Sequence, residues 1–402
     1  MHELPLNIVV VGGGSGGTLS ANLLTKQLGN EIQTGKARIH LVLGSQQHIF
    51  QPGYLHVAFA GQDPAEIVRE ERSLVNRNVR LIEEPAERID LKGQVVTLAS
   101  GKTLHYDYLI IATGSVPNPR AIPGLSEASL NFHTSPDESR RIWNVIQLFD
   151  GGHVVVGIAG VPHKCPPSPN EAAFLIDDYF RKRGIRDKVK LTFLTPYPRP
   201  YPAEPMSRVV EPLFKERGIE VVTFFNLESV DTTKKEMYSL EGESQSYDLL
   251  IMVPPHRGAD VIVKSGIGDA DGWIPADKNT MRITGYENAY AIGDATNIPV
   301  SKTGVTAHLE AITAADNIVS AVRQRKELHK YNGRINCPFE MGSGKAAFVI
   351  ASYDMPVKEI HPSRMRYVMK KAFAMFYWRT LSGSLDWLFG LYFGKTQTVE
   401  RT

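Results

Sequence analysis

Cysteine is nearly absent from the chain: 402 residues contain two, Cys165 and Cys337. That excludes a disulfide framework and any zinc site built from four thiolates, and leaves the pair either a chemical role or a buried inert one. Long apolar runs are also missing. No stretch reaches the roughly 20 residues that cross a bilayer as a helix, because Asp386 interrupts the most apolar candidate, so any membrane contact must be peripheral. An excess of charge is lacking too. Forty-five basic residues against 43 acidic ones give +2, which offers no global drive toward nucleic acid. The apolar run at Ile8 begins too early for a signal peptide to precede it, so the cytoplasmic side is the expected location. What is present, 42% apolar and 22% charged residues, is the composition of a large globular protein, with length for about two to four domains.

The first element reads as strand, turn and helix: Ile8 to Val11, then Gly12-Gly13-Gly14-Ser15-Gly16-Gly17, then an apolar run from Thr18. Gly12, Gly14 and Gly17 have the GxGxxG spacing, in which glycines allow a tight turn, a close pyrophosphate and a helix packed on its strand. The next strand, Arg38 to Leu43, ends in Gly44-Ser45 where an acidic ribose partner is expected. Tyr106-Asp107-Tyr108 leads a buried strand into Thr113-Gly114, and Tyr247-Asp248 leads a similar one into Pro254-Pro255, which predicts two related units. A late strand from Asn288 stops at Gly293-Asp294, and Thr303-Gly304 opens an apolar-periodic helix through about Ala321.

In this order, the GxGxxG turn, Ala112-Thr113-Gly114 and Gly293-Asp294 resemble the two-dinucleotide-domain flavoproteins. The resemblance implies an α/β fold of two Rossmann-like dinucleotide-binding domains followed by a C-terminal segment. FAD would be held by Gly12, Gly14, Gly17, Thr113, Gly114, Gly293, Asp294, Thr303 and Gly304, with Asp294 on the ribityl chain. The FAD domain is expected over residues 1–115 and 285–330, the second domain over 116–284 and the C-terminal segment over 331–402. In the second turn, Gly157-Ile-Ala159-Gly160-Val-Pro162, alanine and proline stand where the fingerprint needs glycines. A degenerate nicotinamide site is therefore expected.

His163-Lys164-Cys165-Pro166-Pro167 with Glu171, and Ile335-Asn-Cys337-Pro with the later Phe348, resemble the sulfide:quinone oxidoreductases. The resemblance implies that Cys165 and Cys337 receive hydrogen sulfide and pass its electrons to FAD and then to membrane quinone, yielding polysulfide or sulfur. Cys337 would be the cysteine at the flavin and Cys165 the carrier of the persulfide. Glu171 would handle protons, and Lys302 would stabilise the reduced ring. Many members carry a third cysteine, but Asn131 to Pro136 contain none, so a covalent flavin link there is excluded. No metal is expected. Two other readings stay open: a flavoprotein subunit of sulfide dehydrogenase serving a cytochrome, and a type-II NADH dehydrogenase, which the degenerate fingerprint opposes. An FAD-containing scaffold without turnover would have no need of both cysteines.

From Arg364 to Lys395 there are three arginines, three lysines and one aspartate, a net +5, with nine aromatic residues. Met365, Val368, Met369, Ala372, Phe373, Met375 and Phe376 fall on one helical face while Arg366, Lys370 and Lys371 fall elsewhere. An amphipathic helix on the bilayer surface is expected. Phe348, Phe373, Phe376, Tyr377 and Trp378 are the expected quinone contacts, and Ser384 to Phe393 a second half-inserted element. Removing everything after about Pro362 is expected to release the protein from membranes and to spare flavin reduction by sulfide. Homo-oligomerisation is left open.

Overall fold

The structure, a computed structural model, describes residues 4–384 and 396–401. Two parallel sheets organise it. In the first, five strands run in the order Ala289–Ala291, Tyr108–Ile111, Leu6–Val11, Ala37–Val42 and Arg80–Ile82. Ile8, Val9 and Val10 are wholly buried because both faces of this sheet are covered. The helices Ser15–Gln27 and Gly304–Val322 pack on one face through Leu19, Leu23, Leu309 and Ile318. A three-stranded antiparallel sheet, Ala86–Asp90, Val95–Leu98 and Thr103–His105, covers the other face.

The second sheet has four strands in the order Ile219–Val222, Val189–Leu194, Gly152–Ile158 and Leu249–Val253. Phe174 and Phe180 of the helix Ser168–Arg183 fill one face, and the antiparallel strands Leu227–Asp231, Glu236–Ser239 and Ser244–Ser246 cover the other. The repeated Tyr-Asp pairs do the same job in each sheet. Asp107 accepts from the Asn7 N–H at 2.7 Å and Asp248 from the His153 N–H at 2.8 Å. Each carboxylate thus satisfies the donor at the start of a central strand that its own sheet leaves unpaired.

Beyond the sheets, Ile335–Glu340 and Ala346–Ala351 form an antiparallel hairpin on which the helix Arg364–Thr380 lies. Ser363 caps that helix, its side chain accepting from the Arg366 N–H at 3.2 Å. Gln397–Arg401 then pairs antiparallel with Glu327–Tyr331. Among the described residues no helix is long and apolar enough to cross a membrane. The aromatic stretch expected to half-insert, from Trp387 to Phe393, lies outside the described residues.

Candidate active site

The nucleotide turn crosses the end of the first sheet. Gly12 has φ +110°, and a Cβ there would stand 2.4 Å from the Ala112 carbonyl oxygen; one on Gly17 would stand 1.8 Å from that of Gly12. Neither position admits a side chain, so strand, turn and helix close on one another. A Cβ on Gly14 would meet nothing within 4 Å, which leaves that side of the turn open to a ligand. The helix Ser15–Gln27 starts without a side-chain cap, and its first N–H groups remain for an anion. Beside it, buried Thr113 Oγ1 has no partner, Gly114 and Gly293 turn the chain at positive φ, and Asp294 lines a cavity of about 240 Å³. Thr303 and Gly304 line the same cavity, where Thr303 caps its helix by accepting from the Thr306 N–H at 3.2 Å.

Cys165 and Cys337 both line this cavity, as free thiols. Cys337 Sγ donates to the Pro338 carbonyl at 3.8 Å, and hydrogen bonding with Cys165, together with burial, pushes the Cys337 thiol well up. Cys165 stands at φ +53°, in the left-handed region unusual for a side-chain-bearing residue. Its N–H donates to the Lys302 carbonyl at 2.8 Å, and its own carbonyl accepts from the Ser168 N–H at 2.9 Å and the Ser168 hydroxyl at 2.8 Å. His133 Nε2 completes the chain by donating to Ser168 Oγ at 2.8 Å. Cys165 therefore occupies the entry to the helix Ser168–Arg183, where a second phosphate-binding turn would lead.

Glu171 is buried rather than solvated. Its Oε1 accepts from the Glu340 N–H at 2.7 Å and from Lys370 Nζ at 2.7 Å, and Lys370 also donates to Glu340 Oε2 at 2.9 Å. Helix periodicity sets Lys370 apart from the apolar face of Met365 and Val368; the structure turns it inward, onto two buried carboxylates. His56 Nε2 adds a 3.0 Å contact to Glu340.

Lys302 aims at backbone oxygens, donating to the Thr296 carbonyl at 2.5 Å and the Asp294 carbonyl at 3.3 Å, with its ammonium 4.2 Å from the Trp273 ring centroid. Burial holds its pKa below the usual lysine range, opposed by Asp294 and Glu310. Lys164, which sequence reasoning passed over, is buried as well. It donates to Gln51 Oε1 at 2.9 Å and interacts with Asp294 and Cys165. Its place next to Cys165 in the chain was the available signal.

A second buried network was not legible. Glu71 accepts from Thr18 Oγ1 and meets His48 Nδ1 at 2.9 Å; His48 Nε2 meets the Tyr377 hydroxyl at 2.7 Å, and that hydroxyl meets Ser15 Oγ at 2.6 Å. Of the expected quinone contacts, Tyr377 and Phe373 line the cavity, Phe376 is half-buried, and Trp378 lies under the Arg69 guanidinium at 4.7 Å. Phe348 is 5% exposed, within the hairpin. Among the described residues no group of three or more His, Cys, Asp or Glu side chains could hold a metal.

Residues 6–317 match the pyridine nucleotide-disulphide oxidoreductase family. The chain belongs to this family. Its α/β architecture of two parallel sheets is the family's, and FAD is the cofactor that the open turn at Gly14 and the unpartnered Thr113 fit. The mitochondrial sulfide:quinone oxidoreductase of Mus musculus is 27% identical, covering 93% of this chain and 86% of its own length. The sulfide-quinone reductase of Aquifex aeolicus is 28% identical over 94% of this chain and 92% of its own. The crystal structure of the Aquifex aeolicus sulfide:quinone oxidoreductase superposes with a TM-score of 0.86 at 24% identity, covering 99% of this chain and 97% of that one. NDH2 from Plasmodium falciparum in complex with NADH shares the fold less closely, with a TM-score of 0.67 at 15% identity, 95% of this chain and 98% of that one.

Proposed function

We propose that the protein is a sulfide:quinone oxidoreductase that draws electrons from sulfide through the Cys165/Cys337 pair. One observation carries this reading: the chain's two cysteines, 172 positions apart in sequence, line one cavity, which runs to the Gly304 helix and the nucleotide turn. Relatives named for this activity align over more than nine-tenths of the chain and add support.

In the oxidised pair, hydrosulfide forms a bond to the Cys165 sulfur as the bond to Cys337 breaks, and Cys337 leaves as a thiolate. FAD, when bound, supplies the two-electron acceptor between the thiols and quinone. Loss of two electrons and the persulfide proton re-forms a bridge that contains the added sulfur, so one hydrosulfide yields one bridging sulfur, one proton and two electrons. Lys164 lies where a cation stabilises negative sulfur at Cys165. Thr303, Gly304 and the helix behind them direct a positive helix end toward the cavity, and Lys302 holds the strand end that bears Asp294.

The helix Arg364–Thr380 supplies the lipid contact. Met365, Val368 and Met375 are 67%, 63% and 69% exposed, alongside exposed Arg364, Lys371 and Arg379. An apolar strip edged by cations suits an anionic bilayer surface. Quinone enters beside Phe373, Ala374 and Tyr377, which line the cavity from this helix. NADH is not a substrate in this reading, since Ala159 and Pro162 stand in the second turn where the fingerprint needs glycines.

Stopped-flow mixing of the FAD-loaded protein with sulfide or with NADH tests the choice. Sulfide should bleach the flavin and NADH should not. Rapid bleaching by NADH alone would make the protein a type-II NADH dehydrogenase.

A further inference from the structure

The C-terminal helix brings a charged group into the thiol site. Lys370 Nζ donates to Glu171 Oε1 at 2.7 Å and to Glu340 Oε2 at 2.9 Å. Glu171 belongs to the helix that follows Cys165, while Glu340 ends the strand that carries Cys337. The Glu340 N–H closes the triangle on the same Glu171 oxygen at 2.7 Å. Three segments far apart in sequence meet at one ammonium, and two of them carry the sulfurs.

We propose that Lys370 is a positioning residue for the thiol pair: it fixes the two cysteine-bearing segments to each other and supplies the positive charge against which Cys337 leaves as a thiolate. The inference rests on the reading of Cys165 and Cys337 as the sulfide-reactive pair. It makes thiol reactivity depend on a docked C-terminal helix, the same helix whose outer face suits lipid.

The surrounding charges support it. Cys165 and Glu171 oppose negative charge on Cys337, while Lys370 favours it. Tyr201, buried at 3% exposure, is coupled to Cys337 as well. Behind the ammonium, Glu340 carries His56 at 3.0 Å. The side chains of Lys370, Glu171 and Glu340 are 14%, 4% and 5% exposed, so solvent screens these interactions poorly. Without Lys370, two carboxylates would face one another beside the leaving sulfur, and a buried thiolate would be disfavoured.

The test is the rate of iodoacetamide alkylation of the dithiothreitol-reduced, FAD-loaded protein at about pH 9, with Cys337 and Cys165 quantified separately by peptide mass. Lys370→Met should slow alkylation of Cys337 by about ten- to a thousandfold, because less of the thiol is ionised at that pH. Lys370→Arg should leave the rate near the native one, and Lys370→Met with Glu171→Gln should bring it back toward that rate. An unchanged rate in Lys370→Met, or an equal loss in Lys370→Arg, would overturn the proposal. Should Lys370→Met fail to fold, Glu340→Gln alone is compared with Glu340→Gln plus Lys370→Met; the same slowing is expected, and its absence overturns the proposal equally. Failure of the underlying reading shows elsewhere, as sulfide-driven flavin bleaching that survives serine at both cysteines.

Discussion

Tyr377 and Ser15 stand 362 residues apart in the chain and share a hydrogen bond of 2.6 Å. The contact joins the C-terminal helix to the first residue of the helix behind the nucleotide turn. Tyr377→Phe keeps the ring and removes the oxygen that also meets His48 at 2.7 Å. Buried groups left without partners cost about 1 to 3 kcal/mol. The variant should melt a few degrees lower and release FAD sooner on dilution, as read by calorimetry and flavin fluorescence. Unchanged melting and retention would show that the hydroxyl contributes nothing.

Serine at Cys165 or at Cys337 should suppress sulfide-dependent quinone reduction by orders of magnitude, because neither variant can form the bridge that hydrosulfide opens. FAD content, measured after acid release, should stay at one per chain in both, since the nucleotide turn is untouched. Turnover retained in both would mean that the cysteines are structural.

Truncation after Pro362 no longer separates the membrane role from the rest. It would strip Lys370 from Glu171 and Glu340 and Tyr377 from His48, leaving buried partners unpaired. Loss of stability and of the thiol site is the expected result. Serine at Met365, Val368 and Met375 makes the cleaner test, since these side chains are exposed. Each buried side chain of this size contributes roughly 1.5 to 3 kcal/mol, so sedimentation with anionic vesicles should weaken by more than about a hundredfold. Flavin reduction by sulfide should be unchanged; undiminished vesicle binding would place the anchor elsewhere.

Two buried groups limit stability in acid. Burial, reinforced by Lys164, holds His256 down at about 3. For Glu340, burial pushes upward, but the His56 hydrogen bond and Lys370 outweigh it and bring the carboxyl down to about 2. Each group binds a proton more readily unfolded than folded. Both contributions are complete above the ordinary values of 6.5 and 4.5, and are lost as pH falls toward about 3 and about 2 respectively. Urea midpoints should therefore decline from about pH 6.5 and more steeply below about 4.5. His256→Phe should flatten the upper part of that decline, and an identical slope would remove His256 from the account.

Glu310 acts in the opposite direction. Burial raises it to about 8, against the Gly293 N–H and Lys302, and its Oε1 has no partner. The folded state therefore holds this proton more tightly than the unfolded chain, and the associated stability is lost as pH rises through about 8. Glu310→Gln should be more stable than the native protein at about pH 9, by on the order of a few kcal/mol, and much closer to it in acid. Parallel urea curves at the two pH values check this.

Much of the nucleotide site was legible because steric rules write it locally: Gly12 and Gly17 sit where no Cβ fits, and strand and helix flank them. The cysteines stood out by rarity. Lys370 was separated from the apolar face but its inward role was hidden, because 100° per residue ranks side chains by polarity alone, while its carboxylates come from positions 171 and 340. Tyr377 was read as a ring. Its hydroxyl partner His48, and Glu71 behind that histidine, belong to short segments between Gln47 and Ser73, whose spacing has no periodic signal. The two Tyr-Asp pairs were visible as a repeat, but not their task of meeting an N–H near the start of a strand about a hundred residues earlier.

Lys370 and Tyr377 are seven residues apart, close to two helical turns, and so share one side of the helix about 10 Å apart along its axis. The helix is thus a ruler between the thiol site and the nucleotide turn. A single residue inserted between them would swing Tyr377 by about 100° away from His48 and Ser15 if Lys370 kept its carboxylates, or the reverse. The segment from Lys371 to Phe376 can change its side chains toward solvent and lipid, but its length is fixed by what lies at each end.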